Sequence, residues 1–179
     1  FKEDVFNIAL FNTFIFTFAS IILQLLIGLI TALILNKPLK GIIFFRLALI
    51  IPYAFPPIVI AMLWKWLLSK MYGVYNFFLI NLNLIDQPVP WLGHPDTSMI
   101  ATVVVNVWFG FPLFTLGILA GLQSIPSEQY EVARIEGANW YQTFWYVTLP
   151  NILTIVGIII ILRTIWVFNT FDLVYVLTG

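Results

Sequence analysis

The chain lacks cysteine altogether, and charge is scarce: Asp, Glu, Lys and Arg make up 9% of its 179 residues. Without cysteine there are no disulfides and no thiolate metal sites, and nothing follows about redox compartment. A soluble domain carries about 25% charged residues, so a soluble globular reading is disfavoured. Net charge is zero, which removes the basic footprint that nucleic-acid binding requires. The lone histidine, His94, lies in a Pro-rich loop. A metal site needs several ligands, so it reads as a plain loop residue. Residues 1–10 lack a basic region followed by a cleavage site, so no signal peptide is visible.

What is present is apolar. Hydrophobic residues make up 61% of the chain, and the mean hydropathy is +1.01. A spanning helix needs about 20 largely apolar residues. Four stretches qualify, at about 10–35, 42–68, 98–122 and 149–168. Only helices or closed barrels satisfy their backbone in lipid, and runs this long without strand alternation indicate helix. The expected fold is all-α, a single polytopic transmembrane bundle. The chain starts on Phe and stops at Gly179 without a clear terminus, which we read as a fragment of a longer subunit.

The connections differ in kind. NKPLKG (36–41) is short and basic. Residues 69–97 are longer: Met71 to Leu82 suits a short interfacial helix, followed by Pro-rich DQPVPWLGHPD. Asp96 or Thr97 is a candidate cap for the third span. Lys37, Lys40, Arg46 and Arg134 fall on one side of the membrane, and Lys2, Lys65 and Lys70 on the other. Four against three places NKPLKG and the loop at about 123–148 in the cytoplasm. Pro52, Pro56 and Pro57 fall in the second span and Pro112 in the third. Each removes a backbone donor, which fits either a kinked packing helix or a broken helix lining a path.

The loop YEVARIEGANWYQTFWYVTLP (130–150) is polar amid the apolar runs. Ser127 is a candidate cap for a helix over Glu128 to Glu136, with Glu128 complementing its positive end. Gly137 suits the left-handed stop. Asn139 and Gln142 make a capping-box start for a second short helix, and Pro150 fits the first turn of the fourth span. Ala133 and Gly137 are four apart and share a face, letting another backbone approach closely. Such a helix rests on headgroups or in a protein groove. Its mostly acidic charge favours the groove.

This loop resembles the cytoplasmic signature of ABC importer permease subunits: Glu-Ala-Ala, three residues, Gly, nine residues, Ile, one residue, Leu-Pro. Here it reads Glu131-Val132-Ala133, Gly137, Val147, Thr148, Leu149-Pro150, with Val132 and Val147 as conservative departures. NTFIFTFASIILQLLIGLITALILN, IIPYAFPPIVIAMLWKWL, NVWFGFPLFTLGILAGLQSIPSEQYE and FNTFDLVYVLTG resemble the sugar-type branch, that of the maltose and glycerol-phosphate permeases. The resemblance covers essentially the whole chain. It implies a type I importer permease with at least one further span on each side. It also implies that Glu131, Ala133, Gly137, Leu149 and Pro150 couple to a separate ATPase dimer. No Walker A loop occurs in this chain, so ATP and magnesium are expected on that partner and no cofactor here. A second permease subunit, usually a different chain, and an external solute-binding protein complete the implied assembly in a bacterial or archaeal cytoplasmic membrane.

For the solute path, Asn106, Phe109, Gly110 and Leu113 fall at i, i+3, i+4, i+7, as do Arg163, Trp166, Val167 and Thr170, with Tyr53 beside the prolines. Amides, hydroxyls and aromatic faces suit a sugar. Asn106 and Tyr53 read equally as path-lining or helix-packing. Arg163, a charge inside a span, is expected to contact solute, to snorkel outward or to pair with Asp172. The rival to a transport subunit is a membrane scaffold or channel that reuses the docking helix.

Overall fold

The computed structural model describes residues 3–38 and 40–179, and contains helices and no strand among them. Lys2, counted above for sidedness, lies outside the described residues. The first helix, α1, covers Glu3–Leu35. It begins well before residue 10 because nothing in Glu3 to Ala9 breaks a helix. Its pattern is inside out. Phe11, Phe18, Ile22, Leu26 and Ile30 are exposed while Thr17, Ser20 and Gln24 are buried. In water that arrangement would be costly; in lipid the apolar side chains face outward and the small polar ones turn inward.

The second apolar run is not one helix. It divides into α2 (Ile42–Ile50), a 3₁₀ turn (Ile51–Ala54) and α3 (Pro57–Leu67), and the two helical arms meet at 99°. The prolines explain the break. A residue before proline is pushed out of the helical region. Phe55 precedes Pro56 and sits at φ −117°, ψ 144°; Pro56 precedes Pro57 and sits at φ −58°, ψ 146°. Neither arm reaches about 20 residues by itself, so the run at 42–68 is broken at its prolines rather than merely kinked. The short α4 follows (Val74–Asn81), then α5 (Pro95–Gln123), which runs through buried Pro112 without a break. The hairpin α6 (Ser127–Ile135) and α7 (Trp140–Thr143) leads to α8 (Leu149–Phe168) and α9 (Phe171–Thr178). Among the described residues, three helices are long and apolar enough to cross a membrane, and a fourth crossing results if the bent pair is one span.

The described residues form two compact units. One comprises the chain up to Ser20, Ile50–Phe109 and Trp166–Gly179; its core joins Ile60, Ala61, Val105, Leu173 and Leu177. In it, Lys65 Nζ donates to the carbonyls of Val176 (2.8 Å) and Gly179 (3.4 Å), at the negative end of α9. The start of α5 is capped from an unexpected residue. Pro95 is its first residue, so neither Asp96 nor Thr97 is the cap; His94 Nδ1 accepts from the Asp96 N–H at 3.3 Å.

The 69–97 connection is organised by Asn76, buried at 3% exposure. Its Nδ2 donates to the carbonyls of Ser69 (3.3 Å) and Val89 (3.0 Å); its Oδ1 accepts from Val89 N (3.2 Å) and Trp91 Nε1 (2.8 Å). Asn76→Ala strands these buried groups. We expect a local loss of about 2 kcal/mol, read as roughly 30-fold faster amide exchange at Val89.

The other unit is Ile21–Leu49 with Gly110–Ile165. Its helices approach through small residues. A methyl group added at Gly28 would lie 2.5 Å from Phe114 Cβ, and one at Gly121 2.9 Å from Ile155 Cγ2. Packing on glycine is how spans associate where lipid supplies no hydrophobic drive.

Candidate functional site

The polar loop folds as two short helices around a glycine. Helix α6 begins at Ser127, with Pro126 in the capping position and no side-chain cap bond. Ser127 is therefore the first helical residue, not the cap. Proline preorganises the turn, and Glu128 still complements the positive end. The helix stops at Gly137, whose φ is +78°. Gly137 N–H bonds to Arg134 O at 3.1 Å and Ala138 N–H to Ala133 O at 2.9 Å, the paired bonds of a Schellman stop. Nothing lies within 4 Å of a Cβ built at Gly137. Within the chain, glycine is thus required for the left-handed backbone. Gly137→Val should misdirect α7 at a cost of about 1–2 kcal/mol. The check is a lowered Tm of the full-length chain, with Gly137→Asn closer to wild type.

Asn139 caps α7. Its side chain accepts from Gln142 N (2.9 Å) while Gln142 Oε1 accepts from Asn139 N (2.9 Å). The backbone then passes through a π turn at Phe144–Thr148 into α8. Pro150 accounts for the turn. It has no N–H for the Tyr146 carbonyl, and a one-residue widening shifts the pattern so that Leu149 N–H bonds to Phe144 O. Thus Leu149 and Pro150 begin α8, yet Trp140–Phe168 forms a single 29-residue apolar stretch of helix.

Ala133 faces inward. It is 7% exposed, and Tyr130, three residues earlier on the same face, shares a hydrogen bond with Thr148 Oγ1 at 3.3 Å. The small face therefore turns toward the chain's own π turn. Asn151 adds a tie, donating to Gln129 Oε1 (2.8 Å) and Val147 O (2.7 Å). Glu131 is exposed. With Val132 (52%), Ile135 (86%), Trp140 (75%) and Tyr141 (63%) it offers a mixed acidic and aromatic surface.

The path residues fall into two groups. Tyr53 stacks on Phe109 with centroids 5.3 Å apart and planes 21° apart, and Asn106 on the same α5 segment is 1% exposed. Trp166 is exposed, and Thr170 donates to its carbonyl at 2.7 Å. These belong to the first unit. In the second unit, Arg163 is 3% exposed and its Nε donates to Gln24 Oε1 at 2.9 Å. Any Cβ at Gly110 would collide with both the guanidinium and the Gln24 amide. Arg163 is thus held inside the protein, not snorkelling outward; Asp172 is exposed. Gln24 was missed in the sequence. Its signal was a lone carboxamide in the apolar run IILQLLIGLITALIL, where a polar side chain is expected to bond across helices.

Comparison with known proteins agrees with this geometry. The family model described as binding-protein-dependent transport system inner membrane component matches residues 24–179. The trehalose/maltose transport system permease protein MalF of Thermococcus litoralis is 42% identical over 169 residues, covering 94% of this chain and 57% of that protein. The galactooligosaccharides transport system permease protein GanP of Bacillus subtilis is 33% identical over 184 residues, covering 100% of this chain and 44% of that protein. The chain thus spans about half the length of these curated relatives. A crystal structure of a bacterial ABC transporter that imports the acidic polysaccharide alginate superposes with a TM-score of 0.77 at 22% identity, over 89% of this chain and 56% of that one. The chain belongs to the family of binding-protein-dependent transport system inner membrane components.

Proposed function

We propose that this chain is the membrane-spanning part of a permease subunit in an ATP-driven, binding-protein-dependent importer of a sugar or sugar-like solute. One observation carries the reading: the exposed α6–α7 surface belongs to a hairpin whose second arm continues as helix into the span ending at Phe168. A force applied to the hairpin is delivered to the bundle without an intervening flexible loop. Gly137 orients the hairpin and the Tyr130–Thr148 and Asn151–Gln129 bonds brace it. The hairpin then docks in a cleft of a separate ATPase dimer, where ATP and magnesium bind. That places it, with the basic NKPLKG turn, on the cytoplasmic side of a bacterial or archaeal membrane.

Sugar is supported by site chemistry and by kinship. The stacked Tyr53 and Phe109 rings present a face to a pyranose ring, and Asn106 supplies an amide. The relatives named for maltose, trehalose and galactooligosaccharide transport make a saccharide the first candidate solute. A solved alginate transporter is in complex with a saccharide-bound periplasmic protein. An external solute-binding protein and a second permease subunit are the corresponding partners here.

The test is a crosslink from Ile135, which is 86% exposed, rather than from buried Ala133. Ile135→Cys in a cysteine-free full-length chain should bond to a single cysteine in the ATPase cleft, with a yield that changes with nucleotide. Ala133→Cys should react poorly. No crosslink from Ile135, with both proteins folded in the membrane, would favour a scaffold or channel.

A further inference from the structure

A second feature of the first unit shares only Val167 and Thr170 with the path residues described above. A groove of about 870 Å³ opens between the first turns of α5, the opposing stretch of α1, and the α8–α9 junction. That volume lies within the range of small-molecule sites, about 300–1,000 Å³. Its polar lining is Asn12 and Thr13 on α1, Ser98 and Thr102 on α5, Asn169 and Thr170 between α8 and α9, and Thr178 at the end of α9. Phe16, Phe168 and Phe171 supply rings. The lining contains no charged side chain.

We propose that this groove is a vestibule that binds a neutral saccharide on its way to Asn106, Tyr53 and Phe109. The proposal rests on the permease reading above. Three observations support it. First, the threonines are set as acceptors. Thr13, Thr102 and Thr170 donate to the carbonyls of Ala9 (2.8 Å), Ser98 (2.7 Å) and Trp166 (2.7 Å) on their own helices. Their remaining lone pairs suit the hydroxyl hydrogens of a sugar, and the exposed Asn12 carboxamide both donates and accepts. Second, Ser98, Thr102 and Asn106 stand at i, i+4 and i+8 on α5, one helical face. That face leads from the groove toward Asn106, which is itself buried beyond the groove's lining. Third, neutral hydrogen-bonding groups with aromatic rings complement a neutral carbohydrate. Apolar Ile15, Met99, Val167 and Val174 lie between them and suit the C–H faces of a sugar ring, and the lining offers no cation to a uronate.

The test uses the full-length chain assembled with its ATPase, partner permease and binding protein, in a cysteine-free background. Ser98→Cys is exposed to a membrane-impermeant thiosulfonate added outside. Labelling should be rapid at rest. It should slow at least threefold during ATP turnover with binding protein carrying whichever of maltose, trehalose or a galactooligosaccharide the wild type imports. Sugar-free binding protein should not slow it. Thr102→Val should lower maximal uptake about fivefold at saturating loaded binding protein, and Thr102→Ser should restore it. The vestibule is overturned if Ser98→Cys is not labelled from outside, which would mean that lipid or further chain covers the groove. It is equally overturned by labelling indifferent to sugar, by wild-type uptake in Thr102→Val, or by transport of a uronate oligosaccharide alone. In each of these cases wild-type import persists and the permease reading stands. No ATP-dependent uptake of any probe by the wild type would bring down both readings.

Discussion

Gln24→Leu is expected to produce a transporter that assembles weakly and imports little. The substitution conserves bulk but removes the acceptor for Arg163 Nε, a 2.9 Å bond at a site where Gln24 is 0% and Arg163 3% exposed. Removing a hydrogen-bond partner of a buried cation costs about 3 kcal/mol, more than a neutral bond would. That should appear as a large fall in Tm of the detergent-solubilised full-length chain. Gly110→Ala should do similar damage by another route. The new methyl group meets both the guanidinium and the Gln24 amide, and overpacking of this kind costs about 1–3 kcal/mol. The double variant Gln24→Leu/Arg163→Leu separates the causes. If the polar pair is a local structural demand, the double variant recovers much of the Tm lost by Gln24→Leu alone, because no buried charge is left short of an acceptor. If Arg163 also touches solute, uptake stays low although stability returns. A Gln24→Leu chain as stable as wild type would show that the bond carries no weight.

Insertion of two glycines between Thr148 and Leu149 should abolish import, by about 50-fold or more, while the partner ATPase still hydrolyses ATP. One helix from Trp140 to Phe168 joins the exposed α7 surface to the span. Each glycine weakens a helix by about 1 kcal/mol, and two additional residues rotate everything beyond them by about 200°. Pro150 already prevents a plain α-helical bond at this joint, so the π turn has little reserve to absorb an insertion. The measurement is uptake and ATP hydrolysis in the same proteoliposomes. Coupled transport surviving the insertion would mean that force reaches the bundle elsewhere, for example through α6 and α5. The same insertion after Gly93, in the 69–97 connection, is the control and should be tolerated better.

Much of this was legible in the residues themselves. Long apolar runs with few charges specify helices in lipid, because no other open structure satisfies the backbone there. Gly137, Asn139 and Gln142 announced the hairpin because caps act over three or four residues. Three local signals, Pro52, Pro56 and Pro57, marked the break, since a proline restricts its own φ and its predecessor. What depended on partners distant in sequence was not legible. Ala133 has the right size to admit another chain or to seat its own, and only the tertiary structure shows it buried beside the Tyr130–Thr148 bond. Gln24 and Arg163 lie 139 positions apart. No spacing rule links them; they meet because α1 and α8 pack at one depth, beside a glycine that leaves them room. Sequence determined which segments are helical and where they stop, because those are short-range competitions for hydrogen bonds. Tertiary structure alone decided which face each helix shows to lipid, protein or groove, because a buried polar group goes wherever its partner is.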